Sequence, residues 1–140
     1  MSYYGKYRAV VVDVDDPEKR GCIKVTCPRV FGESKSPWCQ PCVPYAYDTG
    51  GDFVLPKMND FVWIEFEDGD VRYPIYTGGL WSKEKSPVTD YKKAKDTRQI
   101  EFAGGKIVMT KDNIVVSLGS SKITMTSSSI ALSAGTINLN

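Results

Sequence analysis

The stretch "KITMTSSSIALSAGTINLN", Lys122–Asn140, decides the fold of this 140-residue protein. Serine, threonine and glycine dominate it, yet its apolar residues come in pairs two positions apart, beginning with Ile123 and Met125. A disordered polar tail has no cause to keep such a spacing, so we expect this region to fold. The pairs belong to a longer series with seven-residue intervals, which comprises Phe102, Met109, Val116, Ile123, Ile130 and Ile137.

A seven-residue period is also typical of a coiled coil, but the details exclude one. Coiled coils need apolar residues three and four apart in good helix formers. Here the apolar partners are two apart, which is the side-chain period of a strand, and the residues between them are Thr, Ser, Gly and Asn. Each unit therefore predicts a short strand of the form apolar-x-apolar followed by a four-residue corner.

Strands with only two apolar side chains each are too short to fill the cross-section of a single-chain solenoid. Identical copies of the chain supply the missing apolar surface by symmetry. We therefore predict that residues 100–140 form an intertwined triple-stranded β-helix, a trimeric β-prism with the apolar residues on its axis. The predicted trimer core consists of Ile100, Phe102, Ile107, Met109, Ile114, Val116, Leu118, Ile123, Met125, Ile130, Leu132, Ile137 and Leu139.

The rest of the chain also predicts strands and turns, so the fold class is all-β. Residues 1–82 form the first predicted domain, in which about five short strands favour a small barrel or sandwich. Its clearest hairpin is "FVWIEF" and "VRYPIYTGG" around the turn "EDGD". Residues 83–99 are rich in lysine and predict a solvated connector.

Composition restricts the chemistry of the chain. It has no histidine, which excludes a Ser-His-Asp or Cys-His arrangement, and its net charge of +1 gives no general attraction to nucleic acid. We see no membrane-spanning run and no secretory signal, so we expect synthesis in the cytoplasm. We predict no catalytic residue, metal or cofactor. For the acidic residues Asp60, Glu65, Glu67, Asp68 and Asp70, a solvated hairpin tip is preferred to a carboxylate hydrolase.

The four cysteines have a spacing that matches a zinc site only at the last pair. Cys22 and Cys27 lie in "GCIKVTCP", which alternates like a strand instead of turning around an ion. We expect Cys22, Cys27, Cys39 and Cys42 to be small, buried and reduced.

Three motifs of the first domain resemble those of the central spike proteins of contractile injection machines. This family includes phage baseplate spikes of the baseplate assembly protein V class and the VgrG proteins of type VI secretion. The motifs are "GCIKVTCPRV", "SPWCQPCVPYA" and the hairpin "GGDFVLPKMNDFVWIEFEDGDVRYPIYTGGLW". In the hairpin, the matching residues are Gly50, Gly51, Phe53, Pro56, Asp60, Val62, Ile64, Phe66, Gly69, Asp70, Pro74 and Gly78.

The resemblance implies an OB-fold in residues 1–82 and a structural function. It implies a homotrimer in a virion tail baseplate or related particle, with a hub protein at the OB-fold end and the prism pointed at the target membrane, which it pierces transiently. The OB-fold surface and Met1–Lys6 are the candidate hub contacts. Some relatives carry a lysozyme domain, for which the connector here is too short, and some carry a His-x-His iron site, which the absence of histidine excludes.

The resemblance also implies a separate conical tip protein of the PAAR type. An uncapped apolar repeat end is a liability, although Asn138 and Asn140 would solvate it in part. The predicted contact residues are Thr136, Ile137, Asn138, Leu139 and Asn140.

Two other functions are also compatible with the sequence. An OB-fold module could bind single-stranded nucleic acid or oligosaccharide through Tyr45, Tyr47, Phe53 or Trp63, but such a module does not need the apolar repeat. The Lys-rich connector offers no stacking platform except Tyr91, so we predict no nucleic-acid partner. A receptor-binding tail fibre would fit a trimeric prism, although fibres usually end in a globular head.

Overall fold

The chain folds as two compact units, Met1–Ser86 and Pro87–Asn140. The computed structural model describes residues 1–85, 87 and 91–139. The fold is all-β, with two helices of a single turn each and one short 3₁₀ turn in the described residues. In that part of the chain, every helix is too short to cross a bilayer.

The first unit is an OB-like half-barrel. Its elements are β1 (Tyr7–Asp13), β2 (Lys24–Thr26), α1 (Pro28–Phe31), β3 (Gln40–Pro41), β4 (Ala46–Tyr47), β5 (Gly50–Gly51), β6 (Phe61–Phe66) and β7 (Pro74–Gly79). Five of the strands form one sheet with the order β2-β1-β6-β7-β3. All neighbours in this sheet are antiparallel except β3 and β7, which are parallel. Strands β4 and β5 form a separate hairpin.

The core of the first unit follows from strand alternation. Along β6, Val62, Ile64 and Phe66 point inward and are buried, because successive side chains of a strand face opposite sides. Phe61 and Trp63 lie together on the outer face; their apolar side chains made a core position the expectation from the sequence, and the structure corrects it. The core is completed by apolar side chains of β1, β2, β7 and the adjoining loops, namely Ala9, Val11, Ile23, Val25, Cys27, Cys39 and Tyr76.

The reversal between β6 and β7 is longer than the predicted tight turn. A 3₁₀ turn, Glu67–Gly69, carries Asp68 and Gly69 at φ values of 50° and 73°. Strand β7 begins only at Pro74, opposite Phe66. Because proline has no N–H to donate to a ladder, the first position of a strand is one of the few that accept it. The segment "VRY" therefore lies in the loop.

The cysteines differ from the prediction at one position. Cys22, Cys27 and Cys39 are buried and free, as expected, but Cys42 is free and exposed. Cys42 lies three positions after the buried Cys39, and an odd separation along an extended segment turns the two side chains to opposite sides.

The second unit is a five-stranded antiparallel meander. Its strands are β8 (Arg98–Phe102), β9 (Gly105–Met109), β10 (Ile114–Leu118), β11 (Ser121–Met125) and β12 (Ile130–Ser133). Their order in the sheet is β12-β11-β10-β9-β8. A helical turn, α2 (Tyr91–Ala94), precedes the meander. The predicted connector, residues 83–99, thus contains α2 and the first residues of β8, while residues 86 and 88–90 lie outside the described part.

The repeating unit of the meander is a pair of strands with its two turns, not a heptad. Strands β8, β10 and β12 begin at positions 98, 114 and 130, so each start lies sixteen positions after the last. The turns between strands alternate between two and four residues. Two seven-residue steps fall two positions short of this unit, and a slip of two positions returns a side chain to the same face of a strand. The seven-residue series therefore predicts correctly which side chains share a face of the sheet, but it predicts the wrong positions for the turns.

The strands of the second unit pair within one chain. Each of β9, β10 and β11 has a ladder on both edges to its neighbours in sequence. The sequence predicts strands of three chains wound together with four-residue corners at every step. In the described chain, two-residue turns at Ala103–Gly104 and Gly119–Ser120 reverse the strand direction instead.

Candidate functional site

One face of the meander carries nearly all the large apolar side chains of the second unit. Residues directly opposite each other in antiparallel strands share a face, so the ladders define rows. The central row is Ile100, Ile107, Val116, Ile123 and Leu132. We call this surface the apolar face; its large apolar residues are Ile100, Phe102, Ile107, Met109, Ile114, Val116, Leu118, Ile123, Met125, Ile130 and Leu132.

The apolar face is exposed in the single chain. Its large apolar residues keep between 38% (Ile107) and 67% (Phe102) of their surface accessible. Monomeric proteins rarely expose a contiguous apolar surface of this kind, and where they do it marks a contact site. Because about half of each side chain is still exposed, covering it would contribute on the order of 1 kcal/mol. The face is therefore the main candidate site of the second unit.

The opposite face of the meander is more polar and is anchored by an ion pair. Lys106 and Glu101 lie opposite each other, with Nζ and Oε2 3.1 Å apart. The same row continues through Ser117 and Lys122 to Ser133. This face suits contact with water, so the two sides of the sheet have different environments built into their sequence.

The four-residue turns repeat the same hydrogen bonds. The backbone N–H of Thr110 donates to the carbonyl of Asn113 at 2.9 Å, and that of Thr126 donates to the carbonyl of Ser129 at 2.9 Å. In each turn, the threonine hydroxyl oxygen also accepts a backbone N–H from the residue three positions on. Because the same turn chemistry recurs in successive units, the strand length is fixed and the apolar rows stay aligned.

The predicted tip contact, Thr136–Asn140, follows β12 directly. Ile137 and Leu139 are 49% and 87% exposed, while Asn140 lies outside the described residues. Thr136 and Ile137 line an open cavity of about 310 Å³. Its apolar lining also comes from the apolar face, through Val116, Leu118, Ile123 and Leu132.

The aromatic residues proposed as stacking platforms lie on different elements. Tyr45 and Tyr47 are 61% and 59% exposed, and their ring centroids stack at 5.7 Å on the β4–β5 hairpin. Phe53 is 72% exposed, and its ring packs against Gly21, where an added Cβ would lie 3.0 Å from it. Trp63 belongs to β6, with the guanidinium of Arg8 5.4 Å from its ring centroid.

The hairpin carboxylates have ordinary structural partners. Asp60 accepts the backbone N–H of Lys57 at 2.8 Å, and Glu65 pairs with Lys6 at 3.2 Å. Hydrogen bonds from the side chain and backbone of Arg72 lower the pKa of Asp70 to about 2. A carboxylate held ionised in this way is a poor proton donor at neutral pH. Among the described residues, no group of three or more His, Cys, Asp or Glu could hold a metal ion.

Burial controls the chemistry of the inner thiols. It raises the pKa of Cys39 to about 11 and also raises the pKa values of Cys22 and Cys27. Since the thiolate is the reactive form, these cysteines are structural.

Sequence reasoning missed the exposed outer edge of β12 and the residues that end the rows of the apolar face, Gly105 and Ser121. A signal for the true repeat was present. The segments "KIVMT" at 106–110 and "KITMT" at 122–126 are separated by one full unit and occupy equivalent positions in β9 and β11.

Comparison with known proteins agrees with the fold of the first unit. A search of curated proteins found no match to the chain. A family model described as the type VI secretion system/phage-baseplate injector OB domain matches residues 7–81. That range runs from the start of β1 to just beyond β7 and covers more than half of the chain. The family is a structural component of injector baseplates. The chain therefore belongs to the type VI secretion system/phage-baseplate injector OB domain family.

Proposed function

We propose that this protein is the central spike of a contractile injection machine, a homotrimer that pierces the target cell envelope. Membership of the injector family supports a baseplate role. The observation that carries the finer proposal is the apolar face, whose eleven large apolar side chains are exposed in one chain. A structural spike of this kind needs stiffness and a narrow profile and has no catalytic step. It is assembled into a phage tail, a tailocin or a type VI-like particle.

In this proposal, three meanders form the walls of a prism around a threefold axis. The apolar faces turn inward, and the Lys106–Glu101 sides face water. Because the ladders within each chain already pair the strands, the copies associate through side chains without exchanging strands. Covering the exposed half of each side chain contributes on the order of 1 kcal/mol, so eleven of them together are comparable with an association cost of about 4–15 kcal/mol.

Two substitutions on neighbouring residues of β11 test the proposal. Ile123→Asp places a charge in the central apolar row, whereas Thr124→Asp places the same charge on the opposite face. We expect light scattering to give about three times 15.6 kDa for the natural chain and for Thr124→Asp, and a monomer for Ile123→Asp. A natural chain that is monomeric, or an Ile123→Asp variant that stays trimeric, would contradict the proposal.

The tip of the spike is proposed to bind a conical PAAR-type protein through Thr136–Asn140. The exposed side chains of Ile137 and Leu139 support this assignment. A chain that lacks Ile137–Asn140 should still trimerise but should fail to retain the tip protein in a pull-down. Equal retention by the truncated and natural chains would remove the assignment.

The hub contact is proposed for the surface of the first unit and Met1–Lys6. This segment is seated on the first unit, because the N–H of Tyr3 donates to the carbonyl of Gly69 at 2.8 Å and its ring packs near Phe66. Tyr4 remains 74% exposed. Tyr4→Ala should weaken capture of the trimer by hub particles, while Met58→Ala, at another exposed apolar residue, should not.

The stacked pair of Tyr45 and Tyr47 favours a second candidate function, binding of single-stranded nucleic acid or oligosaccharide. Exposed aromatic rings can stack on bases. The adjacent Asp48 and Asp52 would repel a phosphate backbone, so oligosaccharide is the better ligand of the two. Titration with a peptidoglycan oligosaccharide should then change the tyrosine fluorescence of the natural chain, and Tyr47→Ala should reduce that change.

A further inference from the structure

The two edges of the second-unit sheet differ in a way that points to a missing strand. Strand β8 carries Arg98 and Glu101, and such charges discourage further pairing at an edge. Strand β12, at the other edge, is Ile-Ala-Leu-Ser and carries no charge. An uncharged apolar edge strand is suited to receive another strand.

The sixteen-residue repeat identifies that strand. Glu101 pairs with Lys106, and Ser117 pairs with Lys122 one unit later. The next unit places Ser133 opposite Asn138. The turn also repeats, because Gly135–Thr136 corresponds to Gly119–Ser120, a glycine followed by a hydroxyl residue. If Ile137–Leu139 followed this register, they would pair with β12 as a sixth strand and place Leu139 opposite Leu132 in the central row of the apolar face.

The single chain holds this segment elsewhere. In the two-residue turns, Ala103, Gly104 and Gly119 have φ values of 49°, 85° and 56°, but Gly135 is outside the positive-φ region. The described part of the sheet ends at β12, and Ile137–Leu139 form no strand there. Ile137 instead lines the 310 Å³ cavity together with residues of the apolar face.

We propose that Ile137–Leu139 have two mutually exclusive positions and that assembly switches between them. In the isolated chain, Ile137 lines the open cavity beside Leu132 and Ile123 of the apolar face. When three copies pack together, as in the proposed function on which this inference rests, that face is taken. The segment then reverses at Gly135 and pairs with β12 of its own chain as the sixth strand. The surface offered to a tip protein is thereby completed only on an assembled spike.

The two equilibria are coupled, and coupling between two events acts in both directions. Trimerisation favours the sixth strand because it removes the alternative position of Ile137. Holding the sixth strand in place must equally favour trimerisation, because it clears the apolar face in advance.

A disulfide at the predicted register tests the switch. The pair Ser133→Cys and Asn138→Cys, in a Cys42→Ser chain, lies on the face away from the trimer contact. Directly opposite antiparallel residues fall within the Cα separation of roughly 4.4–6.8 Å that a disulfide needs. The control pair, Ala131→Cys and Asn138→Cys, shares the face but is offset by two residues, beyond that range. The natural cysteines Cys22, Cys27 and Cys39 are buried and should not interfere.

We expect the disulfide between positions 133 and 138 to form within single chains and in higher yield than the disulfide of the control pair. It should also form faster in the trimer than in a chain that carries the additional substitution Ile123→Asp. The oxidised protein should dissociate at a total concentration lower than the reduced protein by on the order of tenfold. Disulfides between chains, equal yields in the control, or no change in dissociation would overturn the switch. If light scattering still gives a trimer, only the switch fails; if the natural chain is monomeric, the proposed function fails with it.

Discussion

In the first unit, strand β6 places Val62 and Ile64 in a core where they are 1% and 0% exposed, whereas β11 of the second unit leaves Ile123 and Met125 44% and 43% exposed. Strand β6 has apolar residues on both faces and β11 has them on one, yet only β6 buries such residues, so the apolar pattern alone does not decide burial. The half-barrel curves around its own inner face, while the meander has one layer. A single-layer sheet needs a second surface to cover it. The first unit thus covers its own core, whereas the second leaves its apolar face exposed, and the proposed trimer would cover that face.

Removal of the second unit should have the largest effect on assembly. A chain ending at Arg98 lacks the whole apolar face, so we expect its mass to fall from that of a trimer to that of a monomer. The first unit should keep its thermal midpoint, because its core lies entirely within Met1–Ser86. Light scattering and calorimetry measure the two outcomes. A truncated chain that remains a stable trimer would place the trimer contact in the first unit instead.

The core substitution Ile64→Ala should destabilise the first unit and leave the mass of the assembly unchanged. Deleting a fully buried side chain of this size costs about 2–5 kcal/mol, because it leaves a cavity. Urea unfolding of the first unit should report that loss while the trimer mass is unchanged. The matched substitution Ile123→Ala should leave the unfolding of the first unit unaffected. Equal effects of the two substitutions on that transition would abolish the contrast between the units.

Deletions of different length should distinguish the two repeat lengths. Removing Ile114–Ser129 takes out one full two-strand unit and keeps the direction of β12 and the turn order. Removing Ile114–Ser120 takes out a heptad, reverses β12 and places two four-residue turns in succession. We expect the second deletion to lower the thermal midpoint of the second unit by roughly 5–10 °C relative to the first, equivalent to about 1–2 kcal/mol. Equal midpoints would favour the seven-residue unit.

The smallest predicted effect concerns pH and the first unit. The pKa of Asp70 falls from 3.8 to about 2 on folding, because Arg72 donates hydrogen bonds to its carboxylate. A lowered pKa means that the contribution to stability is complete above the unfolded value and is lost as the pH falls towards the folded value. Arg72→Ala should therefore lower the urea midpoint slightly at pH 6, and the difference should shrink between pH 3.8 and about 2. A difference independent of pH would show that Arg72 acts by packing.

Much of the fold was predictable because the first unit keeps its sequence signals local. The alternation of "FVWIEF" divides its residues between the two faces of β6, although it does not show which face is buried, and the motifs around it point to the injector family. The exposure of Cys42 was not predictable, because the sequence does not show which side of the segment around β3 faces the core. Residues 91–94 also form a helical turn within a stretch expected to be a solvated connector.

The sequence predicted which residues share the apolar face, but it did not predict how the strands that carry them are connected. All eleven large apolar residues of the apolar face were predicted as trimer core, because two-residue slips preserve the side of a strand. The repeat length was wrong, because turns of two and four residues alternate and a search for equal intervals does not detect them. The threefold arrangement itself depends on contacts between copies and stays a prediction.

The two-strand unit also has a consequence for the reach of the molecule. Neighbouring strands are about 4.8 Å apart, so each unit extends the meander by roughly 9.6 Å in the stacking direction. Gain or loss of one unit would change the length in steps of about one nanometre while leaving its width and both ends unaltered. If the proposed spike function holds, such stepwise change would adjust the length to envelopes of different thickness without any redesign of the half-barrel.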